Sequence, residues 1–258
     1  MPRFSANLGF LWPERPLLDR IDAAARAGFR AIELHWPYDT PAQAVADACS
    51  QHDLTLLGLN TATGDARSGE FGLGALPGRE GDFQRAFDQA AAYARTAGAK
   101  AIHVMAGVVP PDARAEAERT FAGNLKTAAE RAGDLTLLLE PINRRDKPGY
   151  FYSTTGEAAE IIGRVGAANL RIMFDVYHVG ISEGDVLTRL ARHLPLIGHV
   201  QIAAVPSRAE PDEGEIAYRA IFDALDALGY DGWVGCEYKP RGDTDEGLRW
   251  LAELRVTL

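Results

Sequence analysis

The chain has 258 residues, of which 47% are hydrophobic and 24% charged, with 26 glycines and a formal net charge of −9. These proportions suit a globular domain and exclude disordered and collagen-like chains. The acidic balance offers no basic footprint for nucleic acid or an anionic membrane, so a small ligand is the expected partner.

Strand-like and helix-like patterns alternate from end to end. The opening stretch MPRFSANLGFLWPERP lacks the charged start, apolar core and cleavage site of a signal peptide, and its RFSANLGFL (3–11) reads as a first strand. A helix over 16–29 follows, opened by Pro16 and closed near Gly28, then a strand AIELHW (31–36), a helix over about 41–52 and a strand LTLLGLN (54–60). The Gly-rich stretch 61–81 is long for a connection and is the best candidate for a lid. Next come a helix over 82–98 stopped by Gly98, a strand KAIHVMAG (100–107), a helix over about 112–132 and a strand ending in LTLLLE. A helix over 153–166 opens on a Ser/Thr cap cluster, and strand LRIMFD feeds a helix over 184–194. Strand 197–205, helix 215–229, strand 231–238 and helix 244–256 complete eight strands and eight helices. That cadence predicts an α/β fold, a single (β/α)8 TIM barrel occupying residues 1–258, a usual length for one. An open doubly wound sheet would need a Gly-rich first turn, where this chain has LWPERP.

Four of the runs end on an oxygen-bearing side chain: LLLEPIN at Glu140, RIMFDVYH at Asp175, GHVQIA at Gln201 and WVGCEYKP at Glu237. They lie 35, 26 and 36 residues apart, each gap long enough for a strand, a helix and two loops. In a barrel the carboxyl ends of all strands converge on one face, which makes these four residues neighbours. Three carboxylates in one mouth would repel without a cation, and with an amide oxygen they suit a hard divalent metal, Mg²⁺ or Mn²⁺. Strand alternation points Glu237, Gln201 and the deeper His199 inward and Cys236 outward.

Around this set, Arg208 follows the seventh strand and could clamp a substrate carboxylate in bidentate fashion. His178, three residues beyond Asp175, reads as a substrate contact or a partner of a metal ligand, the alternative being a solvent-facing helix start. Glu33 and His35 share one face of the second strand, and with His103 they either line the mouth or are hydrogen-bonded core groups; His35 is taken as a substrate contact. Trp36 either packs over a substrate or closes the mouth. Glu210 reads as a partner of Arg208, and His52 and His193 as solvated helix-end residues. Cys49 and Cys236 form neither a disulfide framework nor a metal knuckle, which favours a reducing, cytoplasmic setting, and no run reaches the roughly 18 apolar residues of a membrane span.

RFSANL, GALPGRE (74–80), EPIN with RRDKPGYF, DVYH, HVQIA, EPDEGEIAY and DGWVGCEYKP together resemble the hydroxypyruvate isomerase family, over nearly the whole chain. The resemblance implies the xylose-isomerase-like barrel, a divalent metal and interconversion of hydroxypyruvate with tartronate semialdehyde. It also implies that Glu140 and Glu237 are the catalytic, proton-transferring pair. Related sugar epimerases usually carry His where this chain has Gln201, which favours the small-acid isomerase branch. Departures at His35, Trp36, Ala209 and GLNTATGD suggest an altered pocket, such as one for a 2-oxo-tetronate. A non-catalytic sugar-acid-binding barrel is the alternative from another class, and an apurinic endonuclease is disfavoured by six scattered histidines and the charge of −9. The expected partner is a small-molecule sugar acid, without nucleic acid or membrane; a homo-oligomer stays open.

Overall fold

A computed structural model describes residues 1–258. Nine strand segments, all parallel, form one sheet: β1 (Arg3–Asn7), β2 (Ala31–Glu33), β3 (Thr55–Leu56), β4 (Gly58–Asn60), β5 (Ala101–His103), β6 (Thr136–Leu139), β7 (Leu170–Asp175), β8 (Ile197–Ile202) and β9 (Trp233–Cys236). Their spatial order is β3-β2-β1-β9-β8-β7-β6-β5-β4. The two ends of that order belong to one stave: β3 pairs with β2, β4 pairs with β5, and Leu57 joins them. Leu57 N–H donates to Ile32 O at 2.8 Å while Leu57 O accepts from Lys100 N–H at 3.1 Å, so a single residue bonds to both sides. The sheet therefore closes into the expected (β/α)8 barrel of eight staves.

The helices follow the chain in the expected places. The principal ones are α1 (Leu17–Ala27), α2 (Ala42–Gln51), α3 (Glu80–Ala97), α4 (Arg114–Ala132), α5 (Thr155–Val165), α6 (Val176–Ser182), α7 (Val186–His193) and α8 (Tyr218–Ala227). Gly98 closes α3 at φ 80, and a capping box of Thr154 and Glu157 opens α5, as the local sequence signals require. Where one helix is expected over 244–256, two short turns occur, α9 (Thr244–Gly247) and α10 (Trp250–Glu253). The break seats Trp250 in the core, where its Nε1–H donates to Tyr238 Oη at 3.0 Å.

Two apolar regions fill the molecule. Outward-facing strand residues such as Phe4, Ile32, Ile102, Val200 and Cys236 pack under the helices in one continuous cluster. Inside the cylinder, Ala101, Leu138 and Met173 form a separate small cluster. The paired strands end sooner than the apolar runs predict: regular pairing of β2 stops at Glu33, although Leu34 N–H and His35 O still bond to Gly58 and Asn60, and beyond Leu139 the chain builds the mouth. The lid expected over 61–81 is only partly a free loop. Residues 64–69 are exposed, whereas Gly72 to Ala75 are buried, with Gly74 N–H bonded to Met105 O and Ala75 N–H to Ala106 O. No helix is long and apolar enough to cross a membrane.

Candidate functional site

Glu140, Asp175, Gln201 and Glu237 end or follow four consecutive staves, β6 to β9, and all four are buried at the carboxyl end of the barrel. Asp175 caps α6: its Oδ1 accepts from Tyr177 N–H at 2.8 Å, while Oδ2 is buried without a partner. Gln201 is similarly divided. Its amide nitrogen donates to Glu33 Oε2 at 2.8 Å, and its Oε1 is buried without a partner. Two buried oxygens with unused lone pairs cost free energy unless something positive meets them.

Glu237 is held from three sides. Asn7 Nδ2–H donates to its Oε1 at 3.1 Å, His35 Nε2 lies 2.9 Å from the same oxygen, and Arg208 Nη2–H donates to Oε2 at 2.9 Å. Burial alone would raise the Glu237 pKa, but the His35 bond and the Arg208 charge outweigh it and hold the carboxyl well below the usual range. Glu140 has looser support, from His103 Nδ1 at 3.4 Å and His178 Nε2 at 3.5 Å. Burial, then the charges of Glu237 and Asp175, push it well above the usual carboxylate range. Asp175 is pushed up to about 8 by burial and by Glu237. Buried carboxylates that raise one another in this way are stabilised together by a cation among them, and the donor set is one of hard oxygens. The residues present therefore fit a divalent ion.

His178 is the neighbour that changes the picture most. It lies in α6 rather than in solvent, and it is fully buried. Its Nε2 sits 3.5 Å from Glu140 Oε1 and 3.6 Å from Asp175 Oδ2. Polar atoms of Glu140, Asp175 and His178 all lie within 4.8 Å of one another. On the other edge of the ring, Asn143 presents both its backbone N–H, at 3.3 Å, and its side-chain nitrogen, at 2.6 Å, to Nδ1. Two donors at Nδ1 make it the acceptor, so the hydrogen-bond network assigns the proton to Nε2. Burial, then the charge of Arg208, lowers the pKa of the ring to about 3 and keeps it neutral. In that form His178 is a donor aimed at the carboxylates and whatever they bind.

Arg208 occupies the left-handed region at φ 58, a conformation that a non-glycine residue adopts at some cost. Its backbone is fixed there, with N–H bonded to Ala204 O at 2.8 Å and O accepting from Lys239 N–H at 2.7 Å. The guanidinium lies between the rings of Phe10, at 5.0 Å, and Tyr177, at 4.9 Å, and its Nε is buried without a partner. Tyr177 in turn donates to Asp146 Oδ2 at 2.8 Å, and Asp146 lies 3.6 Å from Arg208. A cavity of about 540 Å³ opens over Glu140, Glu237, His178 and Arg208, walled by Trp36 and Phe71. His35 faces the same cavity and stacks edge-on against Phe10, with ring centroids 5.0 Å apart.

Glu140, Glu237, Arg208, His178 and His35 thus line one cavity, Gln201 lines a second one that shares Glu140 and Glu237, and Asp175 lies beside Glu140 and His178. Three smaller expectations are corrected. Glu210 pairs with Arg241, at 2.9 Å, rather than with Arg208, which Glu237 occupies. His193 is buried, because at the end of α7 it lies on the same buried helix face as Val186 and Leu190. His52 is half-buried and lies 3.4 Å from Asp22. Sequence reasoning missed Asn7, Asn143 and Asp146. Alternation along RFSAN places Asn7 beside the inward Ser5, a usable signal; Asn143 and Asp146 lie on a loop without a period.

A model of the family described as xylose isomerase-like TIM barrel matches residues 21–254. Among curated relatives, 2-oxo-tetronate isomerase of Cupriavidus necator is 49% identical over 254 residues, covering 97% of this chain and 98% of that protein. Hydroxypyruvate isomerase of Escherichia coli (strain K12) is 39% identical over 258 residues, covering 99% of this chain and 100% of that one. Among solved structures, that of AP endonuclease, family 2 from Brucella melitensis superposes with a TM-score of 0.95 at 42% identity, covering 98% of this chain and 99% of that chain.

Proposed function

Because this chain belongs to the xylose isomerase-like TIM barrel family, we propose that it is an isomerase of short sugar acids, an intramolecular oxidoreductase that moves a carbonyl between C2 and C3. The substrate of the first reading is hydroxypyruvate, converted to tartronate semialdehyde. The observation that carries the proposal is the pair of buried glutamates, Glu140 and Glu237, standing beside two unpartnered oxygens, Asp175 Oδ2 and Gln201 Oε1. Names of full-length relatives that act on 2-oxo-tetronate and hydroxypyruvate support the same class of substrate.

Such an isomerisation removes a proton from C3, passes through an enediolate, and returns a proton to C2, while a hydroxyl proton moves from the C3 oxygen to the C2 oxygen. Glu140, Asp175, Gln201 and Glu237 would hold a divalent ion, Mg²⁺ or Mn²⁺, which when bound would supply Lewis acidity toward charge developing on the substrate oxygens. Glu140 and Glu237, on β6 and β9 stave ends, flank the reacting carbons and carry the two carbon-bound proton transfers. His178, donating from Nε2, steadies an oxygen of the enediolate. Arg208, pinned between Phe10 and Tyr177, receives the substrate carboxylate, and His35 holds Glu237 in its reactive orientation. The walls of Trp36 and Phe71 limit water around the enediolate.

One observation favours a second substrate. A mouth of about 540 Å³ is roomy for a three-carbon acid and accommodates a four-carbon 2-oxo-tetronate with its extra hydroxymethylene against Trp36. A DNA-processing role draws no support from an acidic chain with three carboxylates lining the mouth. The deciding experiment supplies short 2-oxo acids with Mg²⁺ or Mn²⁺ in D₂O and follows them by NMR. Deuterium entering C3 of recovered hydroxypyruvate or 2-oxo-tetronate, or C2 of the isomer formed from it, is the expected result. Metal-loaded protein that binds these acids without any exchange is a sugar-acid-binding barrel and ends the proposal.

A further inference from the structure

Below the mouth, a carboxylate crosses the inside of the barrel. Glu33 ends β2, yet its side chain reaches across β1 and β9 to β8, where Oε2 accepts from Gln201 Nε2–H at 2.8 Å and faces His199 Nε2 at 3.1 Å. Its other oxygen accepts from Ser5 Oγ–H at 3.2 Å. The path is kept open by Gly235, which pairs with Ser5 on one side and Gln201 on the other. A Cβ built at Gly235 would sit 1.9 Å from Glu33 Oε1. All of these groups are buried, and none of them belongs to the proton-transferring pair.

We propose that Glu33 is a positioning residue that orients the amide of Gln201, presenting its carbonyl oxygen, and not its NH₂, to the cation. This inference rests on the cation reading given above. A glutamine amide free to rotate about its last torsion offers a ligand oxygen in one orientation and two repelling N–H groups in the other. With Nε2 tied to Glu33, the first orientation is the one compatible with the network, and Gln201 Oε1 is left as a buried oxygen without a partner. The device also fixes what position 201 must be. It needs a donor facing Glu33 and a lone pair facing the mouth, so a second carboxylate there would confront Glu33 across the distance now spanned by a hydrogen bond.

The test measures Mn²⁺ binding by titration calorimetry and by electron paramagnetic resonance of the free ion, independently of turnover. Glu33→Leu should weaken Mn²⁺ binding by about 10–100-fold, the usual loss when a group behind a metal ligand is removed, whereas Glu33→Gln, which still offers an oxygen to Gln201, should stay within ~3-fold of wild type. Gln201→Glu should weaken binding by at least ~10-fold although a carboxylate is by itself the stronger ligand for a hard cation, and the swap Glu33→Gln with Gln201→Glu, in which the donor and acceptor exchange places, should restore it. Should Glu33→Leu fail to fold, the single and swapped variants at 201 decide the matter. Gln201→Glu that binds Mn²⁺ as tightly as wild type, or a swap no better than Gln201→Glu alone, overturns the role of Glu33 and leaves the cation site standing. Wild-type protein that takes up no Mn²⁺ overturns the cation reading and this inference with it.

Discussion

Gly235→Ala tests the interior network by adding one methyl group. The backbone at this position tolerates alanine, since it is an ordinary strand residue paired on both sides, so any cost must come from the space the new Cβ enters. That space is taken: the Cβ would lie 1.9 Å from Glu33 Oε1 and 2.9 Å from His199 Nε2, both far inside contact distance. Relief requires the Glu33 carboxylate to retreat by more than an ångström, which breaks its bonds to Ser5 and Gln201 and its contact with His199. At about 1–1.5 kcal/mol for each lost interaction in a buried setting, the substitution should cost roughly 3–5 kcal/mol. In a chain of this size that is a fall in Tm of about 6–20 °C. Urea denaturation of Gly235→Ala, Glu33→Ala and the double variant gives the comparison. In the Glu33→Ala background the oxygen that obstructs the methyl is absent, and the same glycine substitution should cost less than about 1 kcal/mol. Equal costs in the two backgrounds, or a Gly235→Ala protein within about 0.5 kcal/mol of wild type, would refute the reasoning.

Other perturbations reach the mouth and the helices. Glu140→Gln and Glu237→Gln should each lower kcat by about 10²–10⁴-fold in the NMR exchange assay, and a variant that keeps wild-type exchange would remove that glutamate from the proton-transferring pair. Arg208→Lys, which keeps the charge but loses the planar fork, should raise KM for the acid by ~10-fold or more with a smaller effect on kcat; an unchanged KM places the substrate carboxylate elsewhere. Glu157, at the start of α5, has its pKa lowered: burial would raise it, but bonds from Ser153 and Thr154 and the charge of Arg114 prevail. A depressed folded pKa stabilises above the unfolded value, near 4.5, and that stability is lost as the pH falls through the folded value. Glu157→Gln should therefore be less stable than wild type at pH 7 and approach it at pH 3, and a difference that grows on acidification contradicts the assignment.

Much of this arrangement is legible in the one-dimensional pattern, for a physical reason. Alternation along a strand has a period of two, so one inward residue identifies the others: Glu237 and Gln201 follow from Gly235 and His199 without coordinates. The staves end where apolar runs meet oxygen-bearing side chains, because the carboxyl ends of all strands gather at one mouth. What the pattern omits is who pairs with whom. LTLLGLN reads as one strand, and nothing in its hydrophobicity says that Leu57 bonds to one neighbour through its N–H and to another through its C=O. The reach of Glu33 to Gln201 is hidden for the same reason, since it exists only once the cylinder has closed. The short helix α6 is missed because seven β-branched and aromatic-rich residues resemble a strand continuation, and only the Asp175 cap marks its start. With that helix unseen, the reading of His178 stays divided between a contact in the site and a solvent-facing helix start.

The doubly bonded stave has a bearing on how the molecule behaves in a crowded solution. An open sheet presents a rim of unused peptide donors and acceptors onto which a foreign strand can zip. Here the rim is consumed where Leu57 clasps Ile32 and Lys100, and both flanks of residues 55–60 are satisfied by their own chain. Loosening that stave would unseal the sheet at one place, turning two buried ladders into sticky borders, so the resistance of the folded chain to self-templating is concentrated in residues 55–60, where Gly58 O and Asn60 N–H add bonds to Leu34 and His35 beside those of Leu57.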